Sequence, residues 1–411
     1  MLTKITLIAI LACPVGKLFE KFKLPALLGY MAIGILFSPS MADFLTFFQS
    51  ISFSRAELTE SAPFRLFALF VILYRAGLGL DKSGLKENGR TAIKLSSLPC
   101  LSEAFCITVF AHFALGFLWI ESALLAFVIA AVSPAVIVPM MLKLQEEKIG
   151  TDKKIPTLIL ASATLDDIIA ITGFGVCLSL LSINSQEGPL AAIIFLPFTI
   201  ITGISFGWLL LRPLKTLLTN TKIHVSLKVL LLLAIAVFFK AVEESKLFPF
   251  SHLLAIMTLG FAVRDALQHN ADDIAKAFYN IWRVAEIILF VLIGAMVDLK
   301  LLAQIGLIGL LILLIGLSAR SAAVYISLNK SSLSPKEKLF CILAYLPKAT
   351  VQATIGGLAL SYFYDGTVKL FNGAEMGEFI LAMAALSIVI TAPLGALGIR
   401  YSNEKLLNKE A

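Results

Sequence analysis

Apolar stretches of about 16–28 residues recur along this sequence, separated by short polar connectors, and no other feature restricts the chain as strongly. A helix needs about 20 predominantly apolar residues to cross a hydrocarbon core of about 30 Å. The stretches fall at 2–17, 24–40, 63–79, 92–117, 121–144, 155–183, 188–212, 224–242, 248–263, 279–297, 301–328, 337–362 and 375–398. They predict an all-α integral membrane protein of about thirteen transmembrane helices. Apolar residues make up 59% of the chain, against about 45–50% in soluble domains. The longest connector runs only from Ser40 to Ala62, so any function sits within the membrane. The first stretch lacks a strongly basic start and a small-residue cleavage pattern, and it ends in Lys17, Glu20, Lys21 and Lys23, so it is expected to remain as a helix.

The formal net charge of +7 does not make a nucleic-acid surface, because the basic residues form no single face or tail. They alternate from connector to connector. Odd-numbered connectors and the C-terminal tail hold about 23 of the 34 Lys and Arg, the other side about seven. By the positive-inside rule the N-terminus lies outside and the C-terminus in the cytoplasm of a cell membrane. Cys13, Cys100, Cys106, Cys177 and Cys341 all fall inside spans and lack the paired spacing of a disulfide framework or zinc site. No nucleophile–base pair or metal-ligand set is evident, so neither an enzyme nor a cofactor is expected. His112 lies within a span and reads as a helix-packing or helix-end residue rather than a proton relay.

Among the charged residues inside the spans, eight stand out: Arg75, Glu103, Asp166, Asp167, Arg283, Glu286, Arg320 and Lys348. A charge at a helix centre costs about 2.5–3.5 kcal/mol on insertion scales, so such groups line a polar cavity or pair with one another. Several in one chain point to an ion pathway. Counted from Ile155 at about 1.5 Å per residue, Asp166 and Asp167 lie near 15–18 Å, close to the bilayer midplane. Adjacent helical residues differ by about 100° in direction, so the two can border one cavity without sharing a narrow face. Neighbouring carboxylates in low dielectric resist ionising together and titrate as a coupled pair. Their oxygens are also hard ligands for a small cation, so protons and sodium can compete for one site.

Two spans carry interruptions. Residues 131–139, Ala-Val-Ser-Pro-Ala-Val-Ile-Val-Pro, place two prolines in the fifth span, where each removes a backbone donor. The twelfth contains Tyr345-Leu346-Pro347-Lys348-Ala349-Thr350, followed by Gly356 and Gly357. Seven crossings separate these spans, so they run in opposite directions, as inverted repeats with two broken crossing helices. Lys348 stands where its ammonium can neutralise facing half-helix ends, or take part directly in proton coupling. Glu103 and Arg320 precede the two breaks in corresponding spans. Two readings of Arg320 stand: a buried pair with Glu103, or an alternating contact with Asp166. Arg75, near a helix end, is expected to snorkel, and Arg283 and Glu286, spaced i,i+3, to form a local ion pair.

Taken together, residues 75–81 (Arg-Ala-Gly-Leu-Gly-Leu-Asp), 131–139, 166–174 (Asp-Asp-Ile-Ile-Ala-Ile-Thr-Gly-Phe) and 346–353 (Leu-Pro-Lys-Ala-Thr-Val-Gln-Ala) resemble the NHA-type branch of the cation/proton antiporters, across nearly the whole chain. The resemblance implies a homodimer that exchanges sodium or lithium for protons by elevator-like movement of an ion-binding core against a dimerisation scaffold, in contact with membrane lipid. Asp167 looks like the aspartate shared across that superfamily, and Asp166 like the position that is asparagine in many electroneutral exchangers. Ser133 stands where many relatives carry aspartate or threonine, and Ser162 and Thr164 lie where neutral oxygens can complete a sodium shell around Asp166 and Asp167. Glu103 and Arg320 match the family's buried charge pair. Some relatives carry a glutamate after the Gly-Ala that here is Gly294-Ala295; this chain has Met296, which leaves Lys348 without that partner. The long N-terminal region of animal members is absent, which favours a prokaryotic membrane.

The expected organisation is scaffold helices over 1–80 and 224–297, core repeats over 92–183 and 301–398, a linker helix over 188–212 and a cytoplasmic tail over 399–411. A potassium/proton antiporter or a sodium-coupled symporter would use the same architecture. A channel or sensor is the alternative of another class, but paired titratable groups beside broken helices suit stepwise exchange better than passive conduction.

Overall fold

The computed structural model describes residues 2–44, 51–79, 82–183, 188–220, 222–245, 247–268, 271–362 and 376–408. Leu80 and Asp81 of the first motif and residues 409–411 of the tail lie outside them. The elements are α-helices: α1 (Leu2–Lys21), α2 (Ala26–Leu36), α3 (Pro39–Phe44), α4 (Arg55–Glu60), α5 (Ala62–Leu78), α6 (Lys82–Leu115), α7 (Trp119–Ala130), α8 (Pro134–Glu146), α9 (Ile155–Ile183), α10 (Gly188–Thr219), α11 (Val225–Glu244), α12 (His252–Leu267), α13 (Ala271–Met296), α14 (Leu299–Ser327), α15 (Pro335–Ala344), α16 (Thr350–Tyr362) and α17 (Met376–Leu406). Among the described residues, 9 helical segments are long and apolar enough to cross a membrane, the α7–α8 pair counting as one. The 20-residue α1, the 16-residue α12, the short apolar α2 and the α15–α16 pair complete the thirteen crossings. Two of these crossings are discontinuous, α7–α8 and α15–α16, as the two interrupted spans predict.

Local chemistry explains where the helices start. Ser54 and Ser334 cap α4 and α15, each accepting from the amide three residues on, while Glu57 and Glu337 bond back to the cap amides. Glu337 also receives Lys153 at 2.8 Å, which fastens the α8–α9 connector to the start of α15. Pro134 occupies the first position of α8, where its missing donor is no loss. Pro139 behaves differently from expectation: it lies inside α8 and does not end it, so the break precedes both prolines.

Packing gathers the helices into two neighbourhoods. In one, α2 lies on α13, α5 on α12 and α10 on α12. In the other, α6 lies against α14, α7 and α9, and α17 against α15 and α16. The α2–α13 contact brings backbones together at Gly34 and Gly294, where a Cβ on Gly294 would run into the Met31 carbonyl and come within 3.1 Å of Gly34 Cα. Small residues permit such close approach in membrane helices. Gly294→Val is therefore expected to force the pair apart and to destabilise the protein by about 1–3 kcal/mol in denaturant or thermal unfolding. Unchanged stability would contradict the close packing.

Candidate ion-binding site at two crossed helix breaks

α7 ends at Ala130 and α8 begins at Pro134; α15 ends at Ala344 and α16 begins at Thr350. The extended residues between them leave carbonyls and amides that no helix satisfies, deep inside the protein. They satisfy one another in part: the Ser133 amide donates to the Pro347 carbonyl at 2.8 Å, so the two breaks touch. Side chains take up the rest. Arg320 donates to the Ala130 carbonyl, and Lys348 Nζ reaches the Ala131 carbonyl at 3.4 Å. Gln352 donates to the carbonyls of Ile129 and Ala131. The Lys348 amide donates to Thr391 Oγ1 at 2.9 Å, and the Val132 amide to Asp166 Oδ2 at 2.9 Å.

The intramembrane charges converge on this crossing. Glu103 on α6 contacts Arg320 Nε, and its two oxygens lie 2.8 and 3.0 Å from Lys348 Nζ. Arg320 on α14 also reaches Asp166, Nη1 to Oδ1 at 3.1 Å and Nη2 to Oδ2 at 3.3 Å. All four side chains are fully buried. Arg320 thus contacts Glu103 and Asp166 in the same arrangement and bridges them. Lys348, which the absence of a glutamate at Met296 had left without a carboxylate, finds Glu103 instead.

Two anions and two cations cancel within this network. Asp167, next on α9, is the charge left over. It is 5% exposed, and its Oδ1 has no hydrogen-bond partner among the described residues. Ser133, in the first break, is fully buried with its Oγ likewise without a partner. The hydroxyl of Ser162 donates to the Leu158 carbonyl at 2.7 Å and that of Thr164 to the Leu160 carbonyl at 3.1 Å. A hydroxyl that donates still keeps acceptor lone pairs. Buried acceptors of this kind require a proton or a cation to be stable.

A cavity of about 790 Å³ separates the two helix neighbourhoods on the side predicted to be cytoplasmic. Tyr30 and Glu286 line it from α2 and α13, Ala135 and Pro139 from α8, just past the first break. On the opposite side two smaller cavities, about 470 and 510 Å³, share Arg65 in their walls.

Two charged residues depart from expectation. Arg75 does not snorkel: its guanidinium lies over the rings of Tyr279 and Trp282, 5.3 and 5.5 Å from their centroids. Glu286 lies near Trp282 and Arg75, and no ion pair joins it to the exposed Arg283 among the described residues. Arg65, near the start of α5, is only 4% exposed and donates to the Leu58 carbonyl and Ser61 Oγ. His112 is a helix-end residue, stacked on Trp119 with Nδ1 2.6 Å from the Phe117 carbonyl. All five cysteines are free.

The sodium/hydrogen exchanger transmembrane family profile matches residues 6–399. Sodium/hydrogen exchanger 9B2 of Xenopus tropicalis is 35% identical over 407 residues, covering 96% of this chain and 72% of the relative. The human protein of that name is 33% identical over 404 residues, covering 96% and 73%. In three dimensions the chain superposes on the sodium proton antiporter MjNhaP1 from Methanocaldococcus jannaschii at pH 8 with a TM-score of 0.81 and 21% identity, covering 98% of each chain. With a family profile spanning nearly all of its length, relatives at 33–35% identity over 96% of it, and the same fold in a solved antiporter, this chain belongs to the sodium/hydrogen exchanger family.

Proposed function

We propose that the protein exchanges sodium or lithium for protons across a cell membrane, with cation and proton competing for the Asp166/Asp167 site. The observation that carries this reading is the charge arithmetic of the crossing: Glu103, Asp166, Arg320 and Lys348 balance, and Asp167 stands outside the balance with an oxygen that, like the hydroxyl of Ser133 in the first break, has no hydrogen-bond partner among the described residues. A lone buried carboxylate in low dielectric is stable only when neutralised. A proton does this, and so does a sodium ion ligated by carboxylate and hydroxyl oxygens. Occupancy by one excludes the other, which is the requirement for exchange. Asp166, held by Arg320 and the Val132 amide, supplies the neighbouring negative field and an oxygen that Arg320 can release.

The cavities on both sides of the crossing support alternating access. In the elevator-like cycle, α6–α9 and α14–α17 carry the site against α1–α5 and α11–α13, with α10 as linker, and two copies associate through the latter helices. The names of the 9B2 relatives and of the archaeal antiporter support this activity.

Purified protein in liposomes loaded with a pH dye tests it directly. External sodium or lithium should drive proton movement whose sign reverses with the cation gradient, while potassium should drive little. Current without coupled proton movement would indicate a channel, and sodium-independent exchange driven by potassium would indicate the potassium/proton alternative.

A further inference from the structure

We propose that Gln352 is a positioning residue that sets the cation preference of the site by keeping a backbone carbonyl out of it, an inference that rests on the antiport reading above. Gln352 stands one turn beyond Lys348 on α16 and is fully buried. Its carbonyl oxygen accepts from the Ala349 amide at 2.8 Å, and its amide nitrogen donates to the carbonyls of Ala131 at 2.6 Å and Ile129 at 3.2 Å. Both amide hydrogens and an acceptor lone pair are thereby engaged, all with backbone, across the two discontinuities.

The consequence lies in the peptide that joins Ala131 to Val132. In a trans peptide the C=O and N–H point in opposite directions. Here the N–H is aimed at Asp166 Oδ2, so the carbonyl of Ala131 is directed away from the carboxylates and toward Gln352. This peptide lies in the break, where Ala131 is extended with ψ at 148° and no helical bond fixes the plane. Gln352 provides the shortest contact to the Ala131 oxygen; Lys348 Nζ, at 3.4 Å, holds it more loosely. Without Gln352, a rotation of this single peptide plane would present the carbonyl to the side occupied by Asp166.

Coordination number governs which cation is preferred. A site built from carboxylate and hydroxyl oxygens alone offers a small, strong-field shell, which suits lithium and sodium; an added carbonyl enlarges the shell and favours a larger ion. Gln352 therefore acts on specificity without touching the cation, by orienting the peptide that would otherwise supply the extra ligand.

Apparent KM values for lithium, sodium and potassium, measured at one pH in proteoliposomes, test this with three variants. Gln352→Met removes donors and acceptor at similar volume. Gln352→Glu keeps an acceptor for the Ala349 amide but loses the donors, and Gln352→Asn keeps both groups on a shorter reach. In Gln352→Met and Gln352→Glu the ratio of potassium KM to lithium KM is expected to fall about fivefold or more relative to the parent protein. Gln352→Asn, the mildest change, should shift it in the same direction and serves if Gln352→Met does not fold. A uniform loss of rate for all three cations with an unaltered ratio overturns the proposal, since that is what a purely structural role produces. So does a Gln352→Glu ratio equal to the parent's beside a shifted Gln352→Met, because the Ala349 contact alone would then matter. Equal KM values for lithium and potassium in the parent overturn it without any variant. Failure of the parent to move protons with any cation would instead sink the antiport reading itself.

Discussion

Asp167→Asn is expected to abolish cation-driven proton movement while leaving a folded protein. The amide keeps the shape of the side chain but carries neither the proton nor the charge, and Asp167 is the one member of the buried group whose charge the crossing does not balance. Its loss removes no ion pair from the Glu103, Arg320, Lys348 and Asp166 network, so thermal stability should be unchanged or slightly raised. Asp166→Asn should behave differently. It deprives Arg320 of an anion and leaves Glu103 facing both Arg320 and Lys348, so it should lower stability, weaken exchange and change the response to membrane potential. Flux assays in liposomes at imposed potentials, with size-exclusion profiles as a check on folding, separate the two. Full exchange by a folded Asp167→Asn protein would contradict the assignment.

The second large effect belongs to Glu103. Its carboxylate contacts both cations of the network, and all three side chains are completely buried. Glu103→Gln leaves Arg320 and Lys348 with Asp166 as their remaining anion, and an uncompensated buried charge costs about 3–5 kcal/mol. Arg320→Gln should be comparably damaging, because it leaves Asp166 without its cation, Glu103 with Lys348 alone and the Ala130 carbonyl without its donor. In the double variant the losses should fall well short of their sum, since each substitution relieves the charge the other strands. Denaturant unfolding of the two single variants and the double variant measures this. Strict additivity would show that the two side chains do not act as a pair.

The positions of the charges were legible in the sequence because hydrocarbon penalises them so heavily that their mere presence inside apolar spans is a signal. The same is true of the breaks: Pro134 and Pro347 cannot continue a helix, and both stand at interruptions. Partnerships were harder to read. Glu103 and Lys348 are 245 residues apart, and only the folded crossing brings them together. Arg75 was expected to snorkel because a long basic chain near a span end normally does, and only tertiary structure reveals the Tyr279 and Trp282 rings that its guanidinium lies over. Pro139 shows the converse, a residue expected to break α8 that the helix accommodates. Gln352 did carry a signal, an uncharged amide four residues after Lys348 in an apolar helix, but its role depends on the orientation of one peptide, which no sequence pattern encodes.

The competition between cation and proton is the centre of this account, and the pH dependence of the apparent KM for sodium tests it most directly. With wild-type protein in liposomes at zero membrane potential, each proton bound at the site excludes the cation. KM should rise by up to about tenfold for each unit the pH falls through the titration of one competing group, with the maximal rate at saturating sodium little changed. As pH rises, KM should level off once the site has lost its competing proton. A KM that stays constant across pH while the maximal rate alone changes would mean that sodium and protons use separate sites, and would contradict the assignment of both to Asp166 and Asp167.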